Sequence, residues 1–484
     1  MKKEELFEVL GDIDDKYINE ARKSNPGKKK TILRWTSLVA CAAILISAVF
    51  VTPLLTKKPA GTQPDYPKGV VAMAAVYPKA VGVGMTAEEF LESDESYTWW
   101  TELRDRINKA YGLSYDMEDY NLELMSNVLV SDKENTVCSP LNTYIAFSML
   151  AEITEGNSRK QILDMLGCND IQELRNTNKL LWESNYADTP VFKSVLANSL
   201  WMNEDIEYNK DTIKTLTDNY YASAFSGRPG SKEYSEALRM WTNYNTGDLL
   251  KDYTEGMEIK EDTVMELVST IYFKAAWSNF FSKSLTQKET FHGVNGDTTV
   301  DMMHSSELTT YYSTDLFEAF ALDMTDSGSM YFYLPKEGVD VNELASDEEV
   351  LKVLHHEYAS NNPDKATDAF VNMSVPKFNV SAQTELIDTL TKMGVIDVFD
   401  DSVADFSPLT KEDRDLFLSK VDHTAIVEID EDGVTGAAFT EIAITEGAYI
   451  VDLSVDIVLD RPFMFIVKAE DGSVLFSGIV RNIE

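Results

Sequence analysis

The chain has 484 residues, 44% of them apolar, enough for one large domain or two to three ordinary ones with a sizeable core. Its 43 basic and 81 acidic side chains give a formal charge of −38, which repels phosphate backbones and argues against nucleic acid as a partner. Three scattered cysteines, Cys41, Cys138 and Cys168, write neither a disulfide scaffold nor a paired-cysteine metal site.

In chain order, residues 1–32 open with acidic and apolar side chains alternating at helical spacing and then stop at Pro26-Gly27, the pattern of a small cytoplasmic tail. Residues 33–55 follow as a transmembrane helix. Their core, "LVACAAILISAVFVTPLL" at 38–55, is charge-free and about long enough to cross a ~30 Å hydrocarbon layer, with Trp35 at one interface. Lys28, Lys29, Lys30 and Arg34 keep the N-terminus cytoplasmic, so everything after the span is extracellular. The long segment before the span argues against a cleaved signal peptide, and secretion after cleavage is the alternative. "LVAC" mimics a lipid-attachment box, but the apolar run continues past Cys41. Residues 56–85, rich in Pro, Gly, Ala and Val, read as a stalk.

From residue 86 to 484 the composition is that of a single domain without a second linker. Helical periods span 97–110, 119–130, 140–151 and 158–166. Strand patterns then interleave: "VMELVSTIYFKAAW" from Val264, "SMYFYLPK" from Ser329, "VNMSVPKFNV" from Val371, "HTAIVEID" from His423, "PFMFIVKA" from Pro462 and "SVLFSGIV" from Ser473. Helices that lead and strands that dominate the end predict an α+β fold with large antiparallel sheets.

No GxSxG elbow, HExxH, phosphate-binding loop or GxGxxG occurs, so no enzyme reading has a specific basis. His355 and His356 are neighbours on a helical stretch and point in different directions, which fits a solvated face better than a metal site. No metal or other cofactor is expected.

Ten segments in a fixed order nevertheless resemble the serpin family over residues 119–484. They include "NTVCSPLNTYIAFSMLAEITEGNSRKQILDML" from Asn135, "ANSLWM" from Ala197, "IYFKAAW" from Ile271, "YLPKEG" from Tyr333, "VPKFNV" from Val375, "DRPFMFIV" from Asp460 and "VLFSGIVRN" from Val474. The resemblance implies a serpin fold of three β-sheets and about nine helices, with an exposed reactive loop as bait. It also implies a suicide substrate rather than an enzyme. A serine protease cuts the loop, an acyl-enzyme forms, and the freed loop inserts as a new strand of the main sheet before the ester hydrolyses.

The bait would lie in "EIDEDGVTGAAFTEIAITEGAYIVD", residues 428–452. Val434, Gly436, Ala438, Thr440, Ile442 and Ile444 fall at every second position, uncharged, and so can face a core when paired as a strand, while Glu441 faces out. Glu446 has inward parity and closes the insertable run, because an unpaired buried carboxylate costs several kcal/mol. The hinge is Glu431, Gly433, Val434, Thr435, Gly436, Ala437 and Ala438. Family spacing from Gly433 places the reactive bond at Gly447–Ala448, whereas counting back from Pro462 lands near Val451, so the register lies within 445–452. Small residues there imply elastase-like or subtilisin-like targets; Tyr449 in the bait position would attract chymotrypsin-like enzymes and Glu446 glutamyl-specific ones.

Two supporting sets carry over with the resemblance. Trp277, Lys377 and Glu431 correspond to the breach at the top of the main sheet, and Ser139, Asn142 and His423 to the shutter that gates its opening. Val434, Gly436 and Phe439 depart from the family's usual hinge residues, and Ser269-Thr270 stands where Asn-Ala is common. The expected function is inhibition of extracellular serine proteases by a membrane-anchored monomer, with cysteine proteases as possible further targets. The alternative is a non-inhibitory serpin whose loop is cut without trapping.

Overall fold

The computed structural model describes residues 64–412, 415–434 and 453–484. The expected transmembrane helix, and the loop residues Thr435, Gly436, Ala437, Ala438, Gly447 and Ala448, lie outside them. Among the described residues no helix is long and apolar enough to cross a membrane.

The predicted helices appear as Asp94–Ala110, Glu118–Val128, Pro140–Glu152 and Gly156–Met165. Pro140–Glu152 is the central one. Ser139 caps it through a hydrogen bond from the Asn142 N–H, Pro140 sits at its first turn, and twelve of its thirteen residues are buried. A helix that is apolar all round belongs inside, and this one packs between two sheets, touching Met265–Ala276 of one and Val474–Val480 of the other.

The main sheet runs, neighbour to neighbour, through Val71–Met73, Ala222–Gly227, Lys193–Asn203, Met265–Ala276, Gly433–Val434, Asp422–Ile429 and Phe378–Glu385. Its outer face is covered by the helix Lys232–Asn245, which closes a second apolar cluster around Trp201, Phe225, Tyr234 and Trp241. Among the described residues the strands form two connected sheets rather than the expected three. The reason is Gly296–Ser313, an 18-residue strand that pairs with Gln287–Gly293, Ala366–Pro376 and Phe317–Met324, and so joins the remaining strands into one ladder.

Two expectations change. "VNMSVPKFNV" is two strands, Ala366–Pro376 and Phe378–Glu385, which belong to different sheets with Lys377 at the crossing. Pro376 has no N–H to give a ladder and suits a strand end. Residues 64–85, expected as stalk, pack on the domain instead. Val71–Met73 adds an antiparallel strand to the edge at Ala222–Gly227, and Tyr77 stacks with Tyr186 and Tyr221 and meets Trp182 at a tilt.

Candidate functional site: a strand hinge and the seam below it

The site starts with a turn. In "DEDG", Asp430 Oδ1 accepts from the N–H groups of Asp432 (2.9 Å) and Gly433 (3.2 Å), and Asp430 N donates to the Gly433 carbonyl (3.1 Å). This side-chain-closed turn reverses the chain leaving Asp422–Ile429. The next two residues, Gly433 and Val434, come back antiparallel as a short strand. Gly433 pairs with Ala276 and Val434 with Ala275 on one side, and Val434 with Ile429 on the other.

Glycine is required at 433. A Cβ there would lie 2.2 Å from the Ala275 carbonyl oxygen and 2.9 Å from Ala276 Cα, both backbone atoms that cannot step aside. Val434 is 1% exposed and joins the main core, so an uncharged β-branched residue replaces the family's hydroxyl without a polar group to satisfy. The residue expected to enter the sheet first is therefore already in it. Among the described residues no ladder joins Met265–Ala276 directly to Asp422–Ile429; Gly433–Val434 is what stands between them. Directly below Val434 a small cavity is lined by Ile271 and Phe273 from one strand and by Ala425 and Val427 from the other.

The expected breach residues come together around this turn. Trp277, 1% exposed, donates from Nε1 to the Asp430 carbonyl (2.9 Å) and from its backbone N–H to that of Asp432 (3.2 Å). Lys377 Nζ lies 2.5 Å from Glu431 Oε2, and Thr286 Oγ1 donates to Glu431 Oε1 (2.8 Å). Burial pushes the Glu431 carboxyl up, but the bonds from Lys377, from its own backbone N–H and from Thr286 outweigh that and hold it below the usual range. Lys283 adds a second pair, 2.8 Å from Asp432.

The expected shutter residues also meet, by an indirect route. Ser139 N donates to His423 Nε2 (3.0 Å), which makes that nitrogen an acceptor and the buried imidazole neutral; burial lowers its pKa to about 4. Ser139 Oγ accepts from Asn142 N, and Asn142 Nδ2 donates to the Ser269 carbonyl (3.2 Å). Ser269 Oγ also contacts Asn142 Oδ1 and Asn198 Oδ1. Serine in place of the usual asparagine thus still ties the strand Met265–Ala276 to the N-terminus of the central helix. His423 ties Asp422–Ile429 to the same place, so one helix end clasps both strands that flank the hinge.

Sequence reasoning missed Asp430, Thr286, Lys283 and Asn198. Asp430 carries a readable signal, an aspartate three residues before glycine; the others are brought in by tertiary pairing alone. Of the two histidines expected on a solvated face, His356 is exposed, with 64% of its side chain accessible, while His355 is partly buried against the N-terminal segment. His355 contacts Glu118 and stacks on Tyr115 at 4.1 Å, and His356 Nδ1 lies 2.7 Å from the Tyr111 hydroxyl. Among the described residues no group of three or more His, Cys, Asp or Glu side chains is placed to hold a metal ion.

Comparison with known proteins matches this geometry. The family model for serpins (serine protease inhibitors) covers residues 116–483. The chain is 29% identical over 393 residues to an uncharacterized serpin-like protein of Methanosarcina acetivorans, covering 78% of this chain and 87% of that one. It is 27% identical over 429 residues to alpha-1-antiproteinase of Rattus norvegicus, covering 86% and 98%. Among solved structures it is similar to the native state of tengpin, a thermophilic serpin, with a TM-score of 0.65, 25% identity, and 77% and 94% of the two chains covered. The chain belongs to the serpin family of serine protease inhibitors and is not an enzyme.

Proposed function

We propose that the chain is a suicide-substrate inhibitor of extracellular serine proteases, held at a cell surface by residues 33–55 and acting as a monomer. One observation carries this reading: the hinge Gly433–Val434 is paired between two strands that no other ladder joins among the described residues. Continued step for step, its register brings Ile444 opposite Met265, the first residue of the flanking strand. The eleven residues from Val434 to Ile444 then match that strand from Ala275 back to Met265.

Parity agrees with length. Positions that share Val434's side would land opposite Phe273, Ile271, Ser269, Leu267 and Met265, which are buried or packed on the core. Thr440 is the only hydroxyl in the inward set, and it would arrive between Ser269 and His423, the polar point of the seam. Burying Ile442 and Ile444 stabilises the inserted state by roughly 1.5–3 kcal/mol each.

In the proposed mechanism the target's serine oxygen attacks the Gly447 carbonyl, the Gly447–Ala448 bond breaks, and Ala448 leaves as a free amine. Loop insertion then competes with hydrolysis of the ester. Small residues at the cut support elastase-like or subtilisin-like targets, and a cysteine nucleophile would form the corresponding thioester. Gly436 is the residue that favours the competing reading, a binding module cut without trapping. Its extra backbone freedom costs about 0.5–1 kcal/mol on strand formation and slows insertion.

Incubation of the protein with elastase-, subtilisin- and chymotrypsin-like proteases, followed by a denaturing gel, separates the two. A complex that survives detergent is the expected result. Loop nicking by every active protease, with turnover intact, overturns the proposal.

A further inference from the structure

Residues 64–115 precede the segment matched by the family model, yet they are built into the domain. Their first part is chemically unlike the rest of the chain. The seventeen residues from Val70 to Thr86 hold one charge, Lys79, and no carboxylate, in a chain whose formal charge is −38.

One side of this run is spent on the domain. Ser226 N donates to the Val70 carbonyl (2.8 Å), Ala75 N to Ser223 Oγ (3.1 Å), Tyr77 Oη to the Tyr221 carbonyl (2.9 Å) and Val81 N to the Asp188 carbonyl (3.0 Å). Gly82 then turns beside Phe90 and Pro190 at φ +68°, where a Cβ would lie 2.4 Å from the Phe90 ring. The other side faces solvent. Val76 is 85% exposed and Val83 61%, and Val71, Met73 and Met85 are exposed with them. Val71–Met73 is also the last strand of the main sheet on that side, so its outer edge points away from the domain. Solvated edges are normally blunted by charge, and a run of large exposed apolar side chains without a carboxylate has the composition of a contact surface instead.

What covers it follows from where the run sits in the chain. Eight residues, 56–63, separate the proposed anchor at 33–55 from Pro64, and fully extended they cover at most roughly 28 Å. A bilayer that holds the anchor therefore lies within reach of the run. Depth is limited by the backbone. An open strand edge cannot enter hydrocarbon with its N–H and C=O groups unpaired, but in the headgroup layer water and lipid oxygens supply partners. Lys79 can keep its ammonium in that layer while its stem lies along the apolar side chains.

We infer that residues 71–85 are a lipid-contact surface that seats this edge of the main sheet in the headgroup layer of the membrane carrying the anchor. This rests on the anchoring proposed above. Glu88, Glu89 and Glu92, which follow and are exposed, mark where the contact ends, because a carboxylate favours water over the interface. The opposite edge of the sheet, Phe378–Glu385, lies six strand spacings away, roughly 29 Å, and stays in water.

The test uses the full chain with Cys41→Ser and Cys168→Ser, the buried Cys138 being kept, reconstituted in phosphatidylcholine vesicles in which a fraction of the lipid carries a headgroup nitroxide. A polarity-sensitive fluorophore is attached through Val76→Cys in one preparation and Asn379→Cys in another, both exposed positions. Chain that floats with the vesicles should show quenching at 76 several-fold stronger than at 379. Met73→Glu together with Val83→Glu should bring it down to the level at 379 without loss of flotation. Equal quenching at the two positions overturns the inference and leaves the anchor intact. A blue shift at 76 without quenching also overturns it, and assigns the edge to a second copy of the chain. Failure to float overturns anchoring by residues 33–55, and this inference with it.

Discussion

Protonating His423 should loosen the seam, and the size of the effect follows from its environment. The imidazole is 5% exposed and accepts from Ser139 N–H, and burial depresses its pKa to about 4 from an ordinary 6.5. A folded-state value below the unfolded one means that the unfolded chain binds the extra proton first. Stability is therefore complete above pH 6.5 and lost as pH falls from 6.5 towards 4. The full window corresponds to about 3 kcal/mol, and the step from pH 7 to pH 5 to about 2 kcal/mol. Other acidic groups titrate too, so the measurement is a difference: urea midpoints of the parent and of His423→Gln at both pH values. Glutamine can accept from Ser139 without titrating. The parent should lose about 2 kcal/mol more than the variant between pH 7 and pH 5. Parallel losses in the two proteins would refute the argument that His423 is held neutral at the seam.

Three further outcomes follow from the hinge. Gly433→Ala should expel the hinge from the sheet, because its Cβ would meet the Ala275 backbone, and should raise the rate of loop cleavage at unchanged helix content. Lys377→Met leaves the 4% exposed Glu431 without its cation and should cost about 2 kcal/mol, less than a fully buried pair because Lys377 is itself a third exposed. A shift in Trp277 fluorescence should accompany it, and an unchanged denaturation midpoint would contradict the assignment. Val434→Arg forces a charge into a core position and should turn inhibition into substrate behaviour, with the number of inhibitor molecules consumed per protease rising several-fold.

Much of the central architecture is legible in the sequence. "SPLNTYIAFSMLAE" announces a capped, almost wholly buried helix, and the alternation in "HTAIVEID" places His423, Ala425, Val427 and Ile429 on one face, as found. Lys193–Asn203 is harder to see, since it is covered on both faces and shows no alternation. Gly296–Ser313 is rich in Thr and Ser and half-exposed, so its length and its role in joining strands leave no apolar pattern to read. The Pro- and Gly-rich run after Thr62 hides a three-residue strand that exists only because the edge at Ala222–Gly227 offers it partners. At the site, the period of the loop and the glycine at 433 can be read directly. The Lys377–Glu431 pair joins residues far apart in sequence, and the clasp through Ser269 and Asn198 depends on which strands become neighbours. Local physical chemistry does not encode either, and the family resemblance supplied only part of it.

The central claim is that residues Val434–Ile444 are a strand in reserve. Cutting the loop with a protease the protein does not trap, and comparing thermal midpoints before and after, tests it most directly. Insertion adds a paired central strand and buries Ile442 and Ile444, so the cut protein should melt well above the intact one. A cut protein that melts at or below the intact temperature would contradict the account.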